Sequence, residues 1–196
     1  MFESTEERIA NFRGLARKHC PLITEEFIEW LIKNNYFTAP ASTKYHGAYE
    51  GGLYDHSYSM FKELMMLTDK LNLQWTRPES PFIVGMFHDL CKIDNYIKVE
   101  APATMNFGSK EIDVYPLKKV SYEFNQKPML KGHGDKSVML LCQFMMLTQE
   151  EILCIRYHMG AYEKDDWDGF DAAIRKYPTT LFTHTADMIA SKVDET

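Results

Sequence analysis

Cysteine is scarce in this chain. It has 196 residues and only four cysteines, Cys20, Cys91, Cys142 and Cys154, with no Cys-x-x-Cys pair among them. Their apolar neighbours predict reduced core thiols rather than a disulfide framework, as in a cytoplasmic protein. No uninterrupted apolar run is long enough to span a bilayer. The opening residues, Met1-Phe2-Glu3-Ser4-Thr5-Glu6-Glu7, are acidic and lack a signal-peptide pattern. There is no excess of positive charge either. The net charge of −6 argues against nonspecific binding to nucleic acid or membrane, although a local basic patch remains compatible with phosphates. Repeats, low-complexity tracts and linkers are missing as well. What remains is a chain of one-domain length, 45% hydrophobic, able to bury a sizeable core and too apolar for disorder. Residues 1–196 are therefore expected to form a single domain.

Helical periodicity dominates the pattern. Ser4 or Thr5, followed by glutamates, predicts a helix start, and Ile9, Phe12, Leu15 and Ala16 recur at helical spacing until Pro21. His19, at that helix end beside Cys20-Pro21, suits a dipole-favoured cap. Thr24 caps a second helix. Residues 38–52 read as a loop, and a long helix follows from about Tyr54 to Lys70. Pro81 opens the helix that carries His88 and Asp89. Further helices are expected at Asp135–Leu147, Gln149–His158, about Asp168–Lys176 with Asp168 as a cap, and from Pro178 through Asp187. Between them, Tyr96–Val99, Ile112–Tyr115 and Val120–Phe124 have strand character and are punctuated by Pro102, Gly108, Pro116 and Pro128. The expected fold is mostly α, a helical bundle with a small β-hairpin insertion at about 95–131.

The most telling residues are His88 and Asp89, in Gly85-Met86-Phe87-His88-Asp89-Leu90-Cys91-Lys92-Ile93. Phe82, Ile83, Val84, Met86 and Phe87 make the preceding helix apolar nearly all round, so it should be central. An aspartate at its end is costly to bury unpaired. A core His–Asp hydrogen bond is one way to offset that cost, and metal coordination is the other. Imidazole and carboxylate suit Mn, Fe, Co, Ni, Zn and, less readily, Mg. His56 lies upstream, and His133, His158 and Asp187 lie downstream. The ordered set His56, His88-Asp89, His133, His158, Asp187 has enough donors for one or two divalent ions, with both oxygens of Asp89 available to bridge.

The same residues resemble the HD-domain superfamily of metal-dependent phosphohydrolases. Gly51-Gly52-Leu53-Tyr54-Asp55-His56 is similar to the loop and helix start that deliver the first histidine in that family. Gly85-x-x-His88-Asp89-x-x-Lys92-Ile93 resembles its second motif, and Tyr157-His158-x-Gly160 and Thr185-Ala186-Asp187 resemble the later ones. The likeness spans roughly residues 44–192. It implies an HD-domain helical bundle in which His56, His88, Asp89 and Asp187 hold one ion, while His133 and His158, with Asp89 bridging, hold a second. The full set resembles the two-metal branch, which includes HD-GYP phosphodiesterases and an HD exoribonuclease of Gram-positive bacteria. The chain has no Gly-Tyr-Pro segment, so cyclic-dinucleotide specificity is not supported, and it lacks room for an added nucleic-acid-binding domain. The single-metal nucleotidase branch needs only the first four ligands.

The implied activity is hydrolysis of a nucleotide or another phosphoester or phosphodiester by a metal-activated hydroxide, since a bound ion lowers the pKa of water to roughly 7. Asp89 would orient that hydroxide. Lys92, three residues on, would face the same side and stabilise charge on phosphoryl oxygens. His46 is a candidate phosphate contact or a surface residue, and His184, one helical turn before Asp187, a support for the ligands or ordinary packing. Tyr96, Tyr115, Tyr122 and Phe124, with Lys98, Lys118 and Lys119, would stack a base or form the face of a small sheet. The expected partner is a small phosphorylated substrate, without membrane or strong general nucleic-acid binding. The same ligand order also occurs in di-iron HD oxygenases such as inositol oxygenase, and Lys92 does not separate the two. A noncatalytic, metal-stabilised regulatory module is the third alternative.

Overall fold

The computed structural model describes residues 2–107, 110–160 and 166–194, and of residues 103–118 the backbone alone. Among these, the chain folds mostly into helices: α1 (Thr5–His19), α2 (Glu25–Lys33), α3 (Gly52–Leu71), α4 (Ser80–Phe87), α5 (Gly134–Leu141), α6 (Gln149–Arg156), α7 (Trp167–Lys176) and α8 (Thr179–Lys192). A short 3-10 turn, Leu90–Asp94, follows α4. Strands β1 (Tyr96–Phe107) and β2 (Lys110–Phe124) pair antiparallel as a two-stranded sheet.

The local reasons are those the residues supply. Ser4 accepts a hydrogen bond from the Glu7 amide and Thr24 from that of Phe27, each satisfying a donor left open at a helix start. All eight residues of α4 are buried, because Pro-Phe-Ile-Val-Gly-Met-Phe has no polar face to offer water. Around α4 lies an aromatic core of Phe12, Phe27, Tyr36, Phe37, Tyr54, Phe82 and Phe87. The Tyr36 hydroxyl donates to the Met86 carbonyl, and Tyr54 donates to Asn11 at 2.8 Å, so these phenols are buried without losing their polar partners. The long helix α3 packs against both α4 and α8.

Several element limits differ from the periodic reading. Helix α5 stops at Leu141 rather than Leu147. The chain turns there, and Thr148 and Glu151 then form a reciprocal capping box that starts α6 in a new direction. His158 lies past the end of α6. Asp166, not Asp168, caps α7, accepting from the Gly169 amide at 3.0 Å. Helix α8 runs on to Lys192. The three strand patches belong to only two strands, whose register shifts between Pro102 and Ala103, where proline has no amide to give the ladder. Of the cysteines, Cys20, Cys91 and Cys154 are buried, but Cys142 is exposed, one residue beyond the end of α5. No helix among the described residues is long and apolar enough to cross a membrane.

Candidate metal centre

The first histidine is delivered by a tight helix start. Gly51 caps α3 with φ of 87°, where an L side chain is strained, and a Cβ there would lie 2.3 Å from the Arg8 guanidinium. Arg8 in turn grips Asp55, the neighbour of His56, through Nε–Oδ1 (2.8 Å) and Nη2–Oδ2 (2.9 Å). This buried fork, joined by the Tyr49 hydroxyl on Asp55 Oδ2 at 3.1 Å, sets the first turn of α3 and the direction of His56.

The central dyad sits at the end of α4. His88 is its C-cap, and Asp89 follows with φ −102° and ψ 17°. The 3-10 turn then folds Lys92 back, so that Nζ lies 2.6 Å from Asp89 Oδ2. His133 is the N-cap of α5, His158 follows α6, and Asp187 is on α8.

These side chains converge as two donor sets that share Asp89. On one side, His56 Nε2 is 3.2 Å from His88 Nε2, 3.1 Å from Asp187 Oδ1 and 3.5 Å from Asp89 Oδ2. His88 Nε2 is 3.5 Å from Asp89 Oδ2 and 3.7 Å from Asp187 Oδ1. On the other side, His133 Nε2 is 3.0 Å from both His158 Nε2 and Asp89 Oδ1, and His158 Nε2 is 3.4 Å from the same oxygen. Donors around a tetrahedral ion with bonds of about 2.0–2.1 Å are separated by about 3.3 Å. The spacings are thus those of coordination edges.

Two further observations fit a metal. His88 Nδ1 pairs with the Gly85 carbonyl at 2.9 Å and His158 Nδ1 with the Ile155 carbonyl at 2.7 Å. Each ring must carry its proton on Nδ1 to make that bond, which leaves Nε2 a bare donor turned inward. Asp89 Oδ1, although close to both ring nitrogens, receives no aligned hydrogen bond among the described residues and is fully buried. An orphaned carboxylate oxygen at such a place is costly unless a cation meets it. Buried His/Asp groups here are therefore able to hold a metal ion.

The electrostatics are mutually dependent. Burial disfavours the Asp89 carboxylate, but Lys92, His88 and His133 outweigh it and hold its pKa well below the ordinary range. Asp187 is likewise lowered against burial by His56 and His88. Burial works against the Lys92 ammonium as well, yet Asp89 raises its pKa. The pKa of His88 is lowered, chiefly by burial, whereas that of His56 is raised against burial by Asp187 and Asp89.

A cavity of about 270 Å³ opens over the cluster, with Asp89, Lys92, His133 and Asp187 among its lining residues. His46 and His184 also line it. His46 packs its ring 5.1 Å from that of His56, and burial lowers its pKa to about 4, with His56 and Lys92 contributing. His184 pairs through Nδ1 with the His158 carbonyl at 2.7 Å, so it holds the backbone beside a candidate ligand. Of the insertion's aromatic residues, Tyr96 lines the cavity. Tyr122 does not: it lines a neighbouring cleft with Tyr96, Lys98 and Glu50, where Lys98 pairs with Glu50 at 3.3 Å. The strand pairing explains this, since Tyr122 lies opposite Lys98, away from the hairpin base where Tyr96 sits. Phe124 is exposed, its ring tilted against that of Tyr96 at 5.4 Å. Lys119 is exposed, while Tyr115 and Lys118 fall outside the described side chains.

Sequence reasoning passed over Cys91, whose Sγ lies 3.2 Å from His133 Nδ1, and Ser42, Ser191 and Lys192 on the cavity wall. Cys91 sits inside the His88-Asp89 motif, but its partner is remote in sequence. Lys192 follows Asp187 on the same helix, a spacing that signals nothing by itself. Comparisons with protein-family models, curated proteins and solved structures gave no match. Fold and site together define a mostly helical protein with a buried His/Asp cluster able to hold metal.

Proposed function

We propose that the protein is a metal-dependent phosphohydrolase of the HD superfamily, acting on a small phosphoester such as a nucleotide. The observation that carries this reading is the shared carboxylate: Asp89 turns one oxygen to His56 and His88 and the other to His133 and His158. The motif resemblance, carried by His56, His88, Asp89, His158 and Asp187, supports the same reading. His56, His88, Asp89 and Asp187 would hold one divalent ion, and Asp89, His133 and His158 a second. Bound ions would supply a nucleophilic hydroxide near neutral pH and positive charge for the phosphoryl group.

The chain's own side chains do the rest. Asp89 holds the two donor sets together and fixes their separation. Lys92 presents a buried ammonium at the cavity floor, where charge develops on phosphoryl oxygens. His46 and His184 bound the space for the substrate. Met159 and Met188 give the wall an apolar portion, suited to the carbon skeleton of the ester.

Elemental analysis of protein purified without chelator, joined to a screen of phosphomonoesters and phosphodiesters, tests the reading. The expected result is a bound transition metal and phosphate or monoester release, both lost in Asp89→Ala. Lys92→Met should keep the metal and lower the rate about 10²–10³-fold, the range for lost charge stabilisation. Oxygen uptake without any phosphoester cleavage would move the protein to the di-iron oxygenases. Metal binding with neither activity would leave a regulatory module.

A further inference from the structure

Three of the four histidines around the shared carboxylate, His88, His133 and His158, are not held alike. His88 and His158 each bond through Nδ1 to a backbone carbonyl in their own helix end, whereas His133 Nδ1 faces the Cys91 thiol at 3.2 Å. Cys91 is wholly buried, and its amide donates to the Ser137 hydroxyl at 3.0 Å, which anchors the backbone that carries the sulfur. On the far side of that ring lie the orphaned, buried Asp89 Oδ1 and the bare Nε2 of His158.

We infer that Cys91 is a positioning residue: its sulfur accepts a hydrogen bond from His133 Nδ1–H and thereby turns the Nε2 lone pair toward Asp89 Oδ1 and His158. This rests on the proposal that these three residues hold the second ion. The physical reason is tautomeric. A neutral imidazole has one N–H, and the nitrogen that keeps it cannot coordinate. Sulfur is a weaker acceptor than a carbonyl oxygen, so the Nδ1 contact of His133 is a softer one than those of His88 and His158.

Two measurements test the inference separately from the metal reading. In the first, long-range ¹H–¹⁵N spectra of the imidazoles are recorded on metal-free protein. His133 should carry its proton on Nδ1 in the wild type, lose that preference in Cys91→Ala and recover it in Cys91→Ser, with the His88 and His158 signals unmoved. A His133 tautomer that is Nε2–H in the wild type, or unchanged in Cys91→Ala, overturns the role of Cys91 whatever the metal does. In the second, Mn²⁺ or Zn²⁺ is titrated calorimetrically. Cys91→Ala should weaken one of the two binding steps about 10–100-fold, the usual effect of losing a ligand's hydrogen-bond partner, and leave the other alone. Cys91→Ser should restore much of it. Equal weakening of both steps would mean that Cys91 only supports the fold and would overturn the inference. A wild-type protein with a single binding step would overturn the two-ion reading, while the spectra still decide the positioning role.

Discussion

His19 ends α1 with its ring edgewise to Phe61 at 5.3 Å and parallel to Phe82 at 6.3 Å. Sequence reasoning makes it a charge suited to a helix C-terminus. Packing instead makes it an aromatic wedge, and burial, with Lys18 adding, lowers its pKa. The unfolded chain then binds more protons than the folded one below the ordinary histidine value of about 6.5, so stability rises with pH. This contribution is complete above that value and is lost as pH falls through the folded pKa. Urea midpoints at pH 7.5 and 5.5 should differ more for the wild type than for His19→Phe, which keeps the ring contacts and cannot protonate. Equal differences would place the pH dependence elsewhere. At the same scale, Cys142 alone among the cysteines is exposed. The Cys20 and Cys154 thiols are pushed up to about 11 and Cys91 to about 12, each mainly by burial. A colorimetric thiol reagent should therefore modify one cysteine promptly in native protein and the others only after denaturation.

Among the elements, the start of α3 has the most at stake. Arg8 and Asp55 have side-chain exposures of 6% and 3%, and the pair ties α1 to the turn that carries His56. Removing one member of a buried pair leaves the other uncompensated, which typically costs about 3–5 kcal/mol. Arg8→Met should lower stability by about that much in urea unfolding and disturb the His56 imidazole signals. A loss below about 1 kcal/mol would show that Tyr49 and solvent satisfy Asp55 alone. The position of this helix was readable from Gly51-Gly52, but the reason for the glycines was not, because Arg8 and the Gly47 carbonyl that crowd them come from elsewhere in the chain. The limits of α5 failed for a similar reason. Met145 and Leu147 continue a helical period after Leu141, yet the Thr148 capping box and the packing of Phe144 on Phe27 and Trp30 fix a turn that local periodicity does not register.

For the whole molecule, the candidate ligands come from five places in the chain: the start of α3, the end of α4, the start of α5, the end of α6 and the middle of α8. Their order was legible because histidine and aspartate cannot be hidden in a core without a reason. Their two-sided grouping around Asp89 came only as an implication of the family resemblance, and spacing alone does not give it, since it depends on how α3, α4, α6 and α8 pack. Any ion that binds only the folded chain stabilises it by mass action, about 2.7 kcal/mol at a hundredfold excess over Kd. Divalent metal should thus raise the melting temperature of the wild type measurably, and Asp89→Asn should remove most of the shift. A full shift in Asp89→Asn would place the ion away from the shared carboxylate.

The same packing sets an order of assembly during synthesis. Domains are made from the N-terminus onward. Asp89, His133 and His158 have all left the ribosome before Asp187 does, so the donor set around His133 has its full complement first. The set around His56 waits for α8. The helix that supplies its last oxygen also packs along α3, and Asp194, two residues past its end, accepts from the Ser59 hydroxyl of α3 at 2.9 Å. For a nascent chain, α8 is thus both a latch on the earlier-made α3 and the side that completes the donor set around His56.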